Sequence, residues 1–595
     1  MYELVKKLLS KRLTISARLT FAFLFTYGGM LTVVSIYLLP ANFMESVQIF
    51  LQSPMLILLN GLPIWLLIGL LFGISRNLVL TTAIPTVITF SMAMVNRSKV
   101  FFRDEPFLPA DIFLFNEVRY VTSAVNFNTE WTIIALIIFF AVLILSLLFI
   151  KPYMPKWRFC LPSAAVCVIC MAVLLPTVYW NQGYFGSFPV KGNGFRLVDI
   201  YNSRGTNYSF LAFLSRFSPT RPPGFSEQLA REILAGQDTK YKPHEPGNIN
   251  IVVVMSESFS RLSDSPVFNF DSDPLAAFHT LAARDGSITG DIIVPNFGGG
   301  TANTEFDVLT GMFTRFIREA PSSFWFIRQP SESIVSVLVD RGYHTVAMHP
   351  GAPWFYNRQN VYRHLGFSNM YFRYDFLEAS ADTITRLITE SSTFDFLHDV
   401  IANRDRTQGP LFAYMVTIQN HMPFANRFYS GSRDMTSNIP LSDADMNELY
   451  NYFYGMRQSA EELLALADLL EKEDEPFLLV FFSDHLPSFA GGIDLYQRLG
   501  LDFSVQPELQ FTVPYLIFAN ELAREFVCFE KVPPLFSANY MGQLLLSFLG
   551  FERDTAWFSY LTDYITQHPI IDIRNKHLDF RVLQYYFIGQ RFRPL

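Results

Sequence analysis

The chain is short of cysteine, short of charge and, before His244, entirely without histidine. Each shortage excludes something. Cys160, Cys167 and Cys170 sit in one apolar run and Cys528 is alone, so the second half has no disulfide framework. Inside that run, Cys167-x-x-Cys170 reads as two small apolar residues and not as a redox pair. With all ten histidines at or after His244, metal and acid–base chemistry is confined to the second half. Charged residues make up only 17% against 50% hydrophobic, too few for a soluble enzyme of 595 residues. The net charge of −7, with no basic block beyond the extreme N-terminus, excludes nucleic acid as a partner. The glycine run Gly298-Gly299-Gly300 is followed by Thr301 without a lysine, which excludes a Walker-type phosphate loop.

What the chain has instead is apolar runs. Stretches near 19–39, 54–74, 77–96, 131–150 and 159–180 each suit a transmembrane helix of about 20 residues. No small-residue cleavage site follows the first, so it reads as an anchor and not as a removed signal peptide. Trp131 opens the fourth run, and Tyr179 and Trp180 close the fifth, as amphipathic rings do at an interface. Lys6, Lys7, Lys11, Arg12 and Arg18 precede the first run, and Lys151, Lys156 and Arg158 lie between the fourth and fifth. The positive-inside rule then puts the N-terminus in the cytoplasm and everything after about residue 181 outside the cell. The loop 97–130 falls outside as well, although it carries Arg97, Lys99, Arg103 and Arg119 beside five acids. The expected organisation is a transmembrane domain over 1–180, a linker with short helices over 181–245, and an extracellular domain over 246–595. "SRFSPTRPPGF" (215–225) marks the linker, because Pro222-Pro223 stops any helix. "SEQLAREILAG" then reads as a short helix.

The second half alternates short apolar runs with amphipathic segments, which predicts an α/β domain with a mostly parallel sheet. Four runs end in chemistry. "NIVVVM" leads into Ser256 and Glu257, "TVAM" into His349, "LFAYMVTI" into His421, and "FLLVFFS" into Asp484 and His485. In a parallel sheet the carboxyl ends of the strands share one edge, where ligand sites form. The alternative is a scatter of surface polar residues. Glu, Asp and His suit a divalent cation, and a small ligand set leaves a position open for substrate. Thr301 has two readings: a residue that caps the helix beginning at "ANTEFDVLTG", or a nucleophile at a helix N-terminus beside the ion. In the second, a neighbouring cation lowers the pKa of the hydroxyl, and Thr301 attacks phosphorus to give a phospho-threonine.

"NIVVVMSESFS", "FGGGTANTEFDVLTG", "YNRQNVYRHLGF", "QNHMPF" and "SDHLPS" occur in this order, and with "FRDEPFLPAD" (102–111) and the five-span anchor they resemble the lipoteichoic acid synthases and related phosphoglycerol transferases. These belong to the alkaline phosphatase and sulfatase-like superfamily. The resemblance implies a manganese site (magnesium or zinc being alternatives) made by Glu257, Thr301, Asp484 and His485, with Thr301 as nucleophile. It implies that Arg358 and His421 contact glycerol phosphate and that His349 lines the pocket. Tyr356 stands where members of the family often have tryptophan. Of the histidines and neighbours left over, His344, His364, Glu305 and Asn303 read as packing or supporting residues.

The expected function is transfer of glycerol phosphate from phosphatidylglycerol in the bilayer to a lipid-linked glycerol phosphate or glycan acceptor, as in lipoteichoic acid synthesis. His421 would protonate the leaving alkoxide, and Arg358 would hold two phosphate oxygens. Two other readings stand beside it: a phosphoethanolamine transferase of the same fold, and a non-catalytic membrane receptor or scaffold. Cys528 alone in the outer half weighs against the first of these, and the complete ligand set against the second.

Overall fold

The computed structural model describes residues 13–39, 43–103, 106–109, 111, 131–153, 155–192, 197–215, 221–239, 249–317, 322–327, 329–425 and 434–590. Lys6, Lys7, Lys11 and Arg12, Arg119 with the rest of 112–130, and His244 lie outside the described residues. The chain divides into two units, Met1–Phe217 and Ser218–Leu595.

All five apolar runs of the first unit are helical, as a backbone without water to bond must be. The helices are α1 (Ala17–Tyr37), a short α2 (Phe43–Gln52), α3 (Pro54–Ser75), α4 (Leu78–Arg103), α5 (Trp131–Ser146) and α6 (Trp157–Leu174). Four of these segments, Ala17–Tyr37, Pro54–Ser75, Leu78–Val100 and Trp157–Tyr179, are long and apolar enough to cross a membrane. The chain is therefore a membrane protein. The fourth predicted span is a shorter apolar helix, Ile133–Phe149, whose rise of about 25 Å falls below the roughly 30 Å of a hydrocarbon core.

The centre of this unit is α3, which packs against α1, α4 and α6. Two further helices, α7 (Leu197–Arg204) and α8 (Thr206–Leu214), join at Gly205. Asn60, buried on α3, holds that joint. Its Nδ2 donates to the Arg204 carbonyl at 2.8 Å, its Oδ1 accepts from the Tyr208 amide at 3.0 Å, and its own carbonyl accepts from Asn207 Nδ2 at 3.1 Å. A Cβ on Gly205 would come within 2.3 Å of Asn60 Oδ1, and φ there is +88°. From "FRDEPFLPAD", Asp111 pairs with Lys99 at 2.6 Å and accepts from the Leu108 amide at 2.7 Å.

The second unit opens with α9 (Glu227–Ala235), capped by Ser226 Oγ accepting from the Leu229 amide. Its core is an eight-stranded sheet. In chain order the strands are β1 (Asn250–Ser256), β2 (Ser287–Ile293), β3 (His344–His349), β4 (Asn369–Phe372), β5 (Leu411–Val416), β6 (Phe477–Ser483), β7 (Thr512–Ala519) and β8 (Leu535–Ser537). Across the sheet the order is β8-β2-β7-β6-β1-β5-β3-β4. Only β7 runs against its neighbours. The central strands are continuous apolar runs, because helices cover both faces of a parallel sheet. Every residue of β1, β5 and β6 is buried.

The register decides where the chemistry falls. β6, β1, β5 and β3, the four strands that end in Asp, Glu or His, are consecutive parallel neighbours. Ser483 pairs with Ser256, Val416 with Met255, and Met415 with Met348. Asp484, Glu257, Thr417 and His349 therefore leave the sheet at nearly one level on one edge.

Candidate metal and nucleophile site

At that edge, ligand atoms of Glu257, Asp484 and His485 lie within 4.8 Å of one another, and all three residues are buried. The hydrogen bonds show how they are aimed. Asp484 Oδ1 accepts from the amides of Ser258 and His485, both at 2.8 Å. Asp484 Oδ2 is buried and receives no hydrogen bond. It stands 3.1 Å from His485 Nε2, and Glu257 Oε1 stands 3.7 Å from the same nitrogen. His485 Nδ1 is 2.9 Å from the Leu486 carbonyl, which can only accept, so Nδ1 carries the proton. A histidine that donates through Nδ1 is the one whose Nε2 can offer a lone pair to a metal, and here Nε2 faces the carboxylate oxygens. Two carboxylates and an imidazole nitrogen converging on one buried point is the arrangement a divalent cation satisfies. Burial, and next the Asp484 carboxylate, push the Glu257 carboxyl up to about 8, while His485, Ser258 and Arg358 pull it back. The metal-free carboxylates repel each other, and a cation relieves that repulsion.

Thr301 reaches this edge through the glycine run. Gly298, Gly299 and Gly300 all have positive φ. A Cβ on Gly298, at φ +66°, would meet Ser488 Cβ at 2.8 Å. The Gly298 amide donates to the Leu486 carbonyl at 3.1 Å, which ties the run to the loop after Asp484-His485. Helix α10 (Thr301–Thr310) follows, with Gly300 as its N-cap. Thr301 is thus the first helical residue and not the cap. Among the described residues its hydroxyl has no hydrogen-bond partner. One turn on, Thr304 Oγ1 donates to the Asp484 carbonyl at 2.7 Å. The positive end of α10 therefore abuts the ligand loop.

Arg358 begins helix α11 (Arg358–Leu365) directly after Tyr356 and Asn357, both left-handed at φ +54° and +60°. Its guanidinium is only 1% exposed. It lies 5.2 Å from the Tyr356 ring centroid, and its Nη1 donates to His349 Nε2 at 3.0 Å. His349 Nδ1 donates in turn to the Val416 carbonyl at 3.2 Å. Both nitrogens of His349 are thus committed within the protein. Burial, then Arg358, hold that ring well below the usual histidine range, so it is neutral. His421 is half-buried, with Nδ1 2.6 Å from the Met422 carbonyl and no hydrogen bond to Nε2 among the described residues.

Sequence reasoning left Glu305 among the supporting residues. In the structure it is fully buried and accepts from Arg358 Nε at 2.9 Å and Nη2 at 2.6 Å through one oxygen. Its other oxygen accepts from Tyr362. The available signal was its spacing of four from Thr301, which puts both on one helical face.

The sulfatase family model matches residues 249–551, about half of the chain, spanning β1 to the end of the sheet. The chain belongs to the sulfatase family. The chain is 25% identical over 432 residues to a putative cyclic β-1,2-glucan modification protein of Rhizobium meliloti. That alignment covers 70% of this chain and 64% of the relative, so the chain spans less than two thirds of that relative's length. Among solved structures, the sulfatase-family chain aligns with the phosphoglycerol transferase GacH of Streptococcus pyogenes, solved with sn-glycerol-1-phosphate. The identity is 18%, covering 63% of this chain and 98% of that one, with a TM-score of 0.46. It also aligns with the lipooligosaccharide phosphoethanolamine transferase EptA of Neisseria meningitidis, at 14% identity, covering 90% of this chain and 96% of that one, with a TM-score of 0.47.

Proposed function

We propose that this protein is a membrane-anchored phosphoglycerol transferase. It takes glycerol phosphate from phosphatidylglycerol and passes it to a hydroxyl of an acceptor through a phospho-threonine at Thr301. The observation that carries the reading is the convergence of Glu257, Asp484 and His485 beside the N-terminus of the helix that Thr301 begins.

Glu257, Asp484 and His485, with Thr301 completing the set, would hold the ion, for which manganese is our choice over magnesium and zinc. When bound, the ion supplies positive charge that lowers the pKa of an adjacent oxygen and offsets charge on a phosphoryl group. The chain's own groups do the rest. The positive end of α10 favours an anionic oxygen on Thr301. Arg358 keeps one N–H on each terminal nitrogen beyond its bonds to Glu305 and His349, a fork that suits two phosphoryl oxygens. His421, through Nε2, would give a proton to the departing diacylglycerol oxygen and take one from the incoming acceptor. His349, with both nitrogens engaged, steadies Arg358 and moves no proton. Half-buried Tyr356, its ring 5.2 Å from the Arg358 guanidinium, would flank the bound phosphate.

A lipid donor accounts for the membrane anchor. In this reading the N-terminus is cytoplasmic, the four long helices and the shorter α5, to which a locally thinner bilayer adapts, cross the cell membrane, and the catalytic unit stands outside it. The glucan in the relative's name favours a glycan acceptor over a lipoteichoic acid-type chain. The test is turnover of fluorescent phosphatidylglycerol by the purified full chain with Mn²⁺. Diacylglycerol release that is lost in Thr301→Ala supports the reading. Release from phosphatidylethanolamine alone would move the assignment to a phosphoethanolamine transferase, and release from neither lipid would overturn it.

A further inference from the structure

Thr301 and Glu305 are one turn apart on α10, and Arg358 and Tyr362 are one turn apart on α11. Glu305 sits between the pairs. One of its oxygens takes Nε and Nη2 of Arg358, and the other takes the Tyr362 hydroxyl. A single carboxylate thus braces the two helices against each other. Tyr362 packs among the rings of Phe324, Phe367 and Phe372, so the Arg358 end of the brace is the one that the proposed function sets against phosphate.

We infer that Glu305 is a positioning residue, setting where the Arg358 guanidinium stands relative to the Thr301 oxygen. The inference rests on the phosphoryl-transfer reading above. Three observations carry it. First, the main-chain turn that delivers Arg358 passes through two left-handed non-glycine residues, Tyr356 and Asn357, a backbone that persists only where surrounding contacts hold it. Second, the guanidinium has two protein anchors: His349, which is neutral and accepts one N–H, and Glu305, which accepts two. Glu305 is the only charged one of the pair, and its ion pair with Arg358 is shut away from water on both sides. Third, Glu305 rides on the nucleophile's own helix. Any shift of Thr301 therefore carries the guanidinium with it, and the spacing of attacking oxygen and phosphate cradle is kept. Placement of this kind acts on the reacting complex more than on ground-state affinity.

Two variants separate geometry from charge. Glu305→Asp keeps the charge and withdraws the carboxylate by one methylene. Glu305→Gln keeps the length and one acceptor oxygen and removes the charge. Turnover of phosphatidylglycerol by the full chain is measured with bound Mn²⁺ and Tm for each protein. The inference expects Glu305→Asp to lower kcat by about tenfold to a hundredfold, with KM within about threefold and bound metal unchanged. Glu305→Gln should keep more of kcat than Glu305→Asp. Both variants folded with wild-type kcat and KM would overturn the inference. So would loss of fold in both, which would make Glu305 a core residue and nothing more. Wild-type protein that turns over neither phosphatidylglycerol nor phosphatidylethanolamine would instead strike the underlying reading, so the two failures are told apart by the wild-type lane.

Discussion

Replacing Thr304 by valine tests the contact between the nucleophile's helix and the ligand loop. The Thr304 hydroxyl donates to the Asp484 carbonyl at 2.7 Å, and both residues are fully buried. Valine has nearly the same shape, so no cavity opens. What changes is one hydrogen bond and one carbonyl left buried without a donor. That combination costs about 1–3 kcal/mol. For a cooperative unit the size of Ser218–Leu595, the unfolding entropy is roughly 0.8 kcal/mol per kelvin, so Tm should fall by about 1–4 °C. The larger effect belongs to the site. Asp484 Oδ1 is held by the amides of His485 in its own loop and of Ser258 after β1, and the main chain that carries it is tied to α10 by this bond. Mn²⁺ should bind more weakly in Thr304→Val, by about threefold to thirtyfold, as when a group supporting a ligand is removed. Thr304→Ser, which keeps the hydroxyl, should restore most of it. The assay is isothermal titration of the metal-stripped full chain with Mn²⁺, beside a thermal melt. Wild-type Tm and wild-type Mn²⁺ affinity in Thr304→Val would refute the coupling of helix and loop.

Three further outcomes follow from the same geometry. In metal-stripped protein the Glu257 carboxyl is raised to about 8, so its contribution to stability is complete below its ordinary value near 4.5 and is lost as pH rises through 8. A melt series from pH 5 to pH 9 should show Tm falling, and Glu257→Gln should flatten the fall, whereas an unchanged slope would show that Glu257 is not the titrating group. His485→Gln should lower bound metal at least tenfold in elemental analysis of the purified chain, because the only nitrogen among the three ligands is gone; full metal content would remove His485 from the site. In the membrane unit, Asn60→Leu leaves the Arg204 carbonyl and the Tyr208 amide without their partner, so the detergent-solubilised protein should lose about 1–2 kcal/mol in a melt or denaturant series, and no loss would show that α7 and α8 do not depend on α3.

The sequence exposes some of this site and hides the rest, for physical reasons. Glu257, His349, His421 and Asp484-His485 each follow a short apolar run, and a strand end is a local feature. Their common edge needed only that the strands be parallel neighbours, which the order β6-β1-β5-β3 provides. The glycine run was legible too, since three successive positive φ values are open to little else. Glu305 was not, because its importance depends on α11 packing across α10, and nothing local to "ANTEFDVLTG" announces a partner 53 residues away. Asn60 was hidden inside the apolar run 54–74, where a single amide barely alters hydropathy, and its partners are about 145 residues further on. β7, the one reversed strand, reads like its neighbours because direction leaves no mark on an apolar run. The short fourth span looked full length because composition continues apolar through Phe149 while the α-helix stops at Ser146 and a tighter turn takes over.

The most direct measurement is peptide mass spectrometry of the full chain quenched during turnover of phosphatidylglycerol with Mn²⁺ and no acceptor. The account predicts a peptide containing Thr301 that is heavier by one glycerol phosphate, with the added mass on that residue and absent from Thr301→Ala. Steady diacylglycerol release with no modified Thr301 peptide, or with the adduct on another residue, would contradict it.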